Sequence, residues 1–289
     1  MSPDLAKREP MSSDSPLVVV VLSTFNGERY LDEQFASLFS QTHENIDIIV
    51  RDDGSSDGTT RLLERVAAEN KNVTLHLGEN VGVVASFLDL LDMVPDTADY
   101  VALCDQDDVW RDDKIERALG LLSDLNHSGP TMYCGAVEVV DEQLRHIRVE
   151  RQATKQVTLG NALVQNVATG CTTVINKKAL QLITAKRAAA NQIGMHDWWL
   201  YQVVSAHGQV VFDDDPKILY RQHGGNVVGY ASGFRFWLNR VKRQVGPQSK
   251  TISRQAAELL RLYGDDISAE NHEMVREFLD RTQASSVWE

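Results

Sequence analysis

The hydrophobic positions of the first 125 residues follow two alternating patterns. Short continuous apolar runs have the length of buried strands, and they lie at 17–22, 46–50, 73–77 and 100–103. Between these runs, apolar residues recur at helical spacing in the sets Leu31, Phe35, Leu38 and Phe39; Leu62, Leu63 and Val66; Val84, Phe87, Leu88 and Leu91; and Ile115, Leu119 and Leu122. Strands that alternate with such helices form parallel βαβ units. The pattern therefore predicts an α/β fold, a three-layer α/β/α sandwich with a mixed, mostly parallel sheet.

The pattern becomes less regular after residue 129. We predict extended structure at 132–140 and 168–175, a helix at 197–206, and short strands at 209–212 and 218–221. From residue 233 onward the chain is predicted to form two or three helices. These features divide the chain into a flexible N-terminal tail at 1–15, a main domain at 16–230, and a C-terminal helical extension, a lobe or arm, at 231–289.

Composition excludes some classes of partner. The net charge of −12 over 289 residues argues against nonspecific binding of nucleic acid or anionic lipid through the whole surface. Cys104, Cys134 and Cys171 lie in or beside apolar stretches without zinc-site spacing, which indicates buried free thiols in a reducing compartment. The longest apolar run has strand length, so neither a signal peptide nor a spanning helix is predicted. We predict a cytoplasmic protein with no nucleic-acid partner, and peripheral contact with the inner face of the cell membrane stays open.

Candidate chemistry begins in the segment Cys104-Asp105-Gln106-Asp107-Asp108-Val109-Trp110, which follows a predicted strand. Its three carboxylates lie where a parallel sheet places its ligand crevice. A divalent cation would relieve their mutual repulsion. A solvated acidic turn that caps the next helix explains the same residues equally well.

Polar residues also follow the first two predicted strands, in Ser23-Thr24-Phe25-Asn26-Gly27 and Arg51-Asp52-Asp53-Gly54-Ser55. The carboxyl ends of neighbouring parallel strands face one crevice, so these side chains should converge on one ligand. The Asp53 carboxylate could accept the imide N–H of a uracil or thymine ring. The alternative is a turn whose last residue, Asp57, caps the next helix.

Four motifs together resemble family 2 glycosyltransferases, which are inverting enzymes of the GT-A (Rossmann-like) fold. They are Leu22-Ser23-Thr24-Phe25-Asn26-Gly27, Asp52-Asp53-Gly54-Ser55-Ser56-Asp57, Asn80-Val81-Gly82 and Asp105-Gln106-Asp107, and the likeness covers about residues 18–229. The acidic segment, Met195-His196-Asp197-Trp198-Trp199 and the stretch 220–229 resemble the rhamnosyltransferase-like branch. That branch builds bacterial surface polysaccharides, usually from dTDP-L-rhamnose.

The resemblance implies a donor site and a metal site. The implied donor-binding residues are Ser23, Thr24, Phe25, Asn26, Glu28, Asp53, Asn80, Gly82, Asp105, Gln106 and Arg221. Phe25 stands where many relatives carry a stacking tyrosine. Asp107, with Asp105 and His223, would hold Mg²⁺ or Mn²⁺ between the two phosphates, since carboxylates suit these hard cations. A phosphate contact or a structural role is the alternative for His223, and a structural ion pair is the alternative for Arg221.

The resemblance also implies a general base and an acceptor site. Asp197 would remove the proton of the attacking sugar hydroxyl, and attack from the rear would invert the anomeric carbon without a covalent intermediate. A helix N-cap is the structural alternative for Asp197. The implied acceptor-binding residues are His196, Trp198, Trp199, Gly170 and Cys171. Adjacent tryptophans on a helix cannot share one face, so one of the two is expected in the core.

Three functions fit these observations. We expect an inverting, metal-dependent enzyme that moves a sugar, with L-rhamnose from dTDP-L-rhamnose favoured, onto a glycan or lipid-linked acceptor. The alternatives are a UDP-hexose donor with the same mechanism, or a nucleotide-sugar-binding protein without catalysis. A phosphatase with an Asp-x-Asp nucleophile would need its aspartates after the first strand. The basic aromatic segment 234–243 fits either a membrane-surface helix or a core helix with a basic edge.

Overall fold

A computed structural model of the protein describes residues 15–125, 128–151, 157–224 and 247–286. Its strands are β1 Val18–Thr24, β2 Ile46–Asp52, β3 Val73–Leu77, β4 Tyr100–Cys104, β5 Val109–Trp110, β6 Thr131–Gly135, β7 Val137–Val140, β8 His146–Glu150, β9 Val174–Asn176, β10 Gln209–Asp213 and β11 Ile218–Arg221. Its helices are α1 Leu31–Phe39, α2 Thr59–Glu69, α3 Val83–Met93, α4 Lys114–Asp124, α5 Leu159–Ala162, α6 Lys177–Ala185, α7 His196–His207, α8 Pro247–Tyr263 and α9 Ala269–Ser286.

The main sheet has seven strands in the order β10-β6-β9-β4-β1-β2-β3. β1 pairs in parallel with β2 and β4, β2 pairs in parallel with β3, and β6 pairs in parallel with β10. β9 runs antiparallel to its neighbours β4 and β6. The other six strands therefore end at one edge of the sheet, and β9 begins there.

A second sheet of four strands, in the order β5-β11-β7-β8, lies beyond the ends of β4 and β6. β5 follows β4 after four residues, and β7 follows β6 after the single residue Ala136. β11 pairs antiparallel with β5 and parallel with β7. The small sheet thus brings Arg221, at the end of β11, beside the acidic segment 105–108.

Two hydrophobic clusters cover the two faces of the main sheet. Residues of β1 alternate between them, with Val18, Val20 and Leu22 in one and Val19 and Val21 in the other. All five side chains are fully buried. Helices α1, α2 and α4 pack on the first face, and α3 and α5 to α9 pack on the second. The predicted three-layer α/β/α sandwich with a mixed sheet is confirmed.

Two segments after residue 129 differ from their predictions. The segment 132–140 divides at Ala136 into β6 and β7, which belong to different sheets. The segment 168–175 is not extended throughout, because Gly170–Thr172 form a 3-10 turn in front of β9. Both segments are buried along most of their length, so alternating exposure gives no sign of either break.

The C-terminal helices share the core of the main sheet. Ala256, Leu259 and Tyr263 on α8 and Val275 on α9 are fully buried in the cluster that contains α3 and α7. The predicted C-terminal helices are confirmed, and they pack as part of an outer layer on the main sheet. The predicted tail up to residue 14, the boundary at 230 and the segment 234–243 lie outside the described residues.

Among the described helices, none combines the length and the apolar composition that crossing a bilayer requires.

Candidate active site

Two predicted donor residues hold the loops after β1 and β2 together. The Asn26 backbone N–H donates to the Ser55 hydroxyl at 2.8 Å, and the Asn26 side-chain oxygen accepts the Ser56 N–H at 2.8 Å. Asn26 has a φ of 50°, in the left-handed region that asparagine tolerates. The Glu28 carboxylate accepts the Gly58 N–H at 2.9 Å, next to the start of α2. Both side chains stabilise the crevice wall, and their direct contact with a donor stays a prediction.

Gln106 holds the chain at the end of β1. Its side-chain oxygen accepts the Thr24 hydroxyl and the Phe25 N–H, both at 2.8 Å, and its NH₂ group donates to the Phe25 carbonyl at 3.2 Å. A Cβ atom on Gly27 would lie 2.4 Å from that oxygen, so only glycine fits beside the amide. Both ends of the Gln106 amide are engaged. Gln106 therefore positions Phe25, and its direct contact with a donor stays a prediction.

Asp53 is buried at the end of β2 and is already hydrogen-bonded. One carboxylate oxygen accepts the Val81 N–H at 3.0 Å and pairs with Arg51, and the other accepts the Gly82 N–H at 2.9 Å. The Arg51 guanidinium also donates to the Ser86 hydroxyl at 3.1 Å. Asp53 therefore fixes the loop before α3. The imide N–H of a base could donate only to a carboxylate lone pair that these hydrogen bonds leave unused.

Exposed apolar side chains flank Asp53. Phe25 is 45% exposed and Val81 is 50% exposed, although both adjoin tightly bonded backbone. Asn80 and Gly82 are exposed beside Val81, and the Ser23 hydroxyl lies 2.7 Å from that of Ser86. This edge of the sheet offers an apolar surface against which a planar base could pack.

Acidic residues after β4 form the second part of the site. Burial, followed by the charges of Asp107 and Asp197, raises the pKa of Asp105 to about 7. The Asp107 carboxylate lies 2.6 Å from Nε2 of His223, and the His223 ring lies 4.7 Å from that of Tyr30. Carboxylates with one imidazole form a donor set that fits Mg²⁺ or Mn²⁺, so these residues fit the predicted cation.

A different acidic grouping lies deeper. Ligand atoms of Asp105, Asp108 and Cys171 lie within 4.8 Å of one another. Asp108 is fully buried and accepts the Arg221 N–H at 3.1 Å, and burial raises the pKa of the Cys171 thiol well above its usual range. A protonated thiol is a poor ligand for a hard cation, so Asp105, Asp107 and His223 fit Mg²⁺ or Mn²⁺ better.

Arg221 fits the structural alternative given for it. Its side chain is 1% exposed, and it donates to the Asp107 carbonyl at 2.9 Å and the Glu142 carbonyl at 2.8 Å. It also pairs with Glu33. The buried guanidinium therefore fixes the backbone of the acidic segment, and a contact of Arg221 with donor phosphate stays a prediction.

Asp197 lies in the first turn of α7 and is buried. Burial raises the pKa of its carboxyl to about 6, against hydrogen bonds from the Trp198 backbone, the Asn166 side chain and the Gly170 backbone. The Trp198 N–H donates to Asp197 at 2.6 Å. The helix N-cap is Met195, so the N-cap prediction for Asp197 is wrong. The charge of Asp197 contributes to the raised pKa of Asp105, so the two carboxyls interact electrostatically.

His196 is buried without a hydrogen-bond partner. Its ring stacks on Phe87 with centroids 3.9 Å apart, and neither ring nitrogen is bonded among the described residues. Burial lowers the pKa of His196 to about 3, so the imidazole is neutral. A Cβ on Gly170 would lie 3.1 Å from Nε2 of His196 and 3.6 Å from the Asp197 carboxylate. Because Gly170 has no side chain, the space beside His196 and Asp197 stays open.

The other predicted acceptor residues are less accessible. The side chains of Trp199 and Cys171 are fully buried, so neither presents its side chain to an acceptor in this structure. The predicted approach of the backbone at Gly170 and Cys171 to the sugar stays a prediction. Trp198 is partly buried, and its indole N–H donates to the Ala162 carbonyl at 2.6 Å. As expected, one tryptophan of the pair belongs to the core.

Sequence reasoning missed one buried charge beneath this site. Lys114, at the start of α4, is fully buried, and its ammonium lies 3.2 Å from the centroid of the Trp110 ring. Burial lowers the pKa of Lys114 to about 7. A lysine before an apolar helix face looks like an ordinary surface residue, so the sequence carries no sign of this burial.

Comparison with solved structures shows the fold. S. aureus TarS 1-349 in complex with UDP-GlcNAc superposes with a TM-score of 0.61 at 18% identity, covering 92% of this chain and 72% of that chain. The mannosyltransferase PcManGT from Pyrobaculum calidifontis, in complex with GDP-Man and Mn²⁺, gives a TM-score of 0.56 at 15% identity, covering 92% and 70%. The protein has the GT-A fold.

Sequence comparison extends this likeness. The dTDP-rhamnosyl transferase RfbG of Shigella flexneri is 28% identical over 259 residues, which cover 86% of this chain and 87% of RfbG. The putative teichuronic acid biosynthesis glycosyltransferase TuaG of Bacillus subtilis is 26% identical over 170 residues, covering 57% and 64%. The family model for glycosyl transferase family 2 matches residues 19–183. These residues are more than half of the chain, which therefore belongs to glycosyl transferase family 2.

Proposed function

We propose that this glycosyltransferase is an inverting enzyme that uses a divalent cation and Asp197 as general base. It would move L-rhamnose from dTDP-L-rhamnose onto a hydroxyl of a bacterial surface polysaccharide or another glycan, including a lipid-linked one. The observation that carries the proposal is geometric: after β4 the Asp107 carboxylate lies 2.6 Å from Nε2 of His223, and at the start of α7 the Asp197 carboxylate and His196 lie beside the Gly170 backbone. The charge of Asp197 also contributes to the raised pKa of Asp105, which couples the two groups. A base must face the group that binds the leaving diphosphate, and this coupling supports such an arrangement.

The donor would bind at the ends of β1, β2 and β4. Phe25 and Val81 would pack against the base, while Asp53 would present its remaining acceptor capacity to the imide. Asp105, Asp107 and His223 would hold Mg²⁺ or Mn²⁺, which when bound supplies positive charge to the departing diphosphate.

The acceptor would bind between Gly170 and the start of α7. The Asp197 carboxylate would take the proton of the attacking hydroxyl, and its raised pKa of about 6 leaves it ionised at neutral pH. The neutral His196 ring offers one N–H donor and one nitrogen acceptor to sugar hydroxyls. Burial of both groups keeps competing water away from the reacting carbon.

The name of RfbG favours rhamnose as the donor sugar, and the coverage of both chains makes the comparison a full-length one. A UDP-hexose donor is the second candidate, because TarS was solved with UDP-GlcNAc and uracil shares its imide edge with thymine. The presence of both a candidate base and candidate metal ligands argues against a binding protein that lacks catalysis.

A thermal-shift screen of dTDP, UDP and GDP sugars, each with Mn²⁺ or Mg²⁺, tests the donor. A ligand that binds only the folded state raises the melting temperature, and at equal concentration the tighter-binding ligand raises it more. We expect dTDP-L-rhamnose with Mn²⁺ to give the largest increase, above that of dTDP alone. A larger increase with a UDP-hexose would replace the rhamnose assignment. No response to any nucleotide sugar would overturn the proposal.

A further inference from the structure

The loop that leads into α7 is held by a side chain from the C-terminal helices. Gln255 on α8 is 1% exposed, and its side-chain oxygen accepts the Gly194 N–H at 2.7 Å. The two residues are 61 positions apart in the chain. Gly194 precedes Asp197 by only three residues, so this bond fixes the backbone just before the proposed base.

Close packing reinforces the hydrogen bond. A Cβ on Gly194 would lie 2.9 Å from the Thr251 methyl carbon and 3.5 Å from the Gln255 oxygen, so α8 approaches this backbone directly. One turn further along α8, the Glu258 carboxylate is buried and accepts a hydrogen bond from the Ala189 backbone. The two ends of the segment 189–194 are therefore attached to the same helix.

The far end of α8 is anchored independently. The Tyr263 hydroxyl donates to the Leu182 carbonyl at 3.2 Å and lies 3.3 Å from the Lys186 carbonyl, and its ring centroid lies 6.2 Å from that of Trp199. Tyr263 and Trp199 are both fully buried. α8 is thus a fixed support, on which Gln255 can hold the loop in one position.

The backbone at Gly194 leads directly into the first turn of α7, which carries the proposed base. Met195 is the N-cap of α7, and its carbonyl accepts the Trp199 N–H at 3.0 Å. A displacement of Gly194 would change the entry of the chain into the first turn, which carries His196 and Asp197. Misplacement of a reacting group by about 1 Å can cost about 100-fold in rate.

We propose that Gln255 is a positioning residue for the transfer reaction, through which α8 sets the place of the Asp197 carboxylate. This inference rests on the proposed role of Asp197 as base. It assigns a functional contact to a helix that lies outside the residues matched by the family model, 19–183.

A pair of substitutions tests the bond. Gln255→Met keeps the length of the side chain and removes the acceptor, while Gln255→Glu keeps an acceptor oxygen. Arg254→Met is the matched control, since Arg254 is the exposed neighbour on the same helix. Turnover is measured as nucleotide release from dTDP-L-rhamnose or, if the screen favours another donor, from that sugar. Donor affinity is measured by calorimetry, and amide hydrogen exchange is followed over residues 193–199.

We expect Gln255→Met to lower kcat by about 10- to 100-fold, to leave the donor Kd within about twofold, and to speed exchange over 193–199. Gln255→Glu and Arg254→Met should resemble the unsubstituted protein in all three. A normal kcat for Gln255→Met would overturn the inference, as would an equal loss in Arg254→Met. If instead Asp197→Asn keeps full turnover, the proposed base is wrong, whereas the exchange data still report whether Gln255 holds the loop.

A second pair tests the packing without touching Gln255. Gly194→Ala should lower kcat because the added methyl meets the Thr251 methyl carbon, and Gly194→Ala combined with Thr251→Ser should recover most of the loss. Recovery in the double variant supports transmission through the α8 contact. A Gly194→Ala variant with unchanged kcat contradicts it.

Discussion

The proposed donor side and the proposed acceptor side of the cleft differ in how their buried polar groups are bonded. On the proposed donor side, Asp53 accepts hydrogen bonds on both carboxylate oxygens, and Gln106 is bonded through both ends of its amide. On the proposed acceptor side, Asp197 accepts the Trp198 N–H, whereas both ring nitrogens of His196 lack partners among the described residues. A buried polar group without a partner costs about 1–3 kcal/mol. The hydrogen bonds of the proposed donor side are thus formed before a ligand binds. On the proposed acceptor side, the unbonded nitrogens of His196 cost free energy of folding, which hydrogen bonds to a bound sugar could offset.

The two sides also differ in what supports them. Donor residues lie in loops of adjacent parallel strands, and their bonds run mostly between those loops. The start of α7 depends on Gln255, from a helix at the other end of the chain. Substitutions on the donor side should therefore affect nucleotide binding, and substitutions on the acceptor side should affect turnover.

The largest expected effect is that of Asp197→Asn. The amide cannot accept the proton of the attacking hydroxyl, so kcat should fall by about 100- to 10,000-fold while nucleotide-sugar binding is retained. Release of nucleotide and calorimetric binding measure the two quantities on the same protein. Normal turnover in this variant would show that Asp197 is not the base.

Asp107→Asn should have the next largest effect, on the donor side. Loss of one carboxylate from the proposed cation group should weaken the binding of nucleotide sugar in Mn²⁺ by about 10- to 100-fold. Asp96→Asn, at an exposed position in the turn that precedes β4, is the matched control. If both variants bound donor and Mn²⁺ alike, the cation assignment to Asp107 would be excluded.

The pH dependence of kcat/KM should reflect the acceptor side. A general base at Asp197 would be active as the carboxylate, and the pKa of Asp197 is raised to about 6. Activity should therefore be complete above this pH and fall about tenfold per unit below it. Rates between about pH 5 and 8 with saturating Mn²⁺ test the prediction. A profile that stays level down to pH 5 would mean that no group with this pKa acts as base.

The smallest expected effect separates stability from activity. His196→Leu removes the two nitrogens without partners and keeps an apolar side chain of similar size beside Phe87. The free energy of unfolding should rise by about 1 kcal/mol, while kcat/KM for the acceptor should fall several-fold, about 1 kcal/mol of lost sugar binding. Chemical denaturation and acceptor titration measure the two. A variant that lost stability would show that His196 has a structural partner.

The first half of the fold could be predicted because strand and helix patterns are local. β3 has the bounds expected from its apolar run, and the pairing of the strands that precede the two polar loops, β1 and β2, is parallel as expected. Residues from 132 to 175 could not be predicted in the same way. Ala136 separates two sheets, and a 3-10 turn precedes β9, in segments that are buried throughout most of their length.

Several features of the site could not be predicted from the sequence, because they depend on contacts between residues far apart in the chain. The proposed pairing of Asp197 with the acidic segment came from the family resemblance and stays a prediction, since no local pattern links residues that are so far apart in the chain. The burial of Arg221 depends on carbonyls of Asp107 and Glu142, which are 114 and 79 positions away. Gln255 gave no signal, because a glutamine on a helix resembles a surface residue until its partner Gly194 is known.

The reversed direction of β9 makes the two parts of the chain difficult to separate. β9 pairs with β4 through Ala102 and Val174, and with β6 on its other side. A chain cut between residues 125 and 128 would leave β4 as an open edge, prone to pairing with other molecules. Each fragment expressed alone should aggregate, whereas joint expression should restore a soluble complex. Chimeras that exchange nucleotide specificity between relatives would have to carry a compatible β9 together with the transplanted strands.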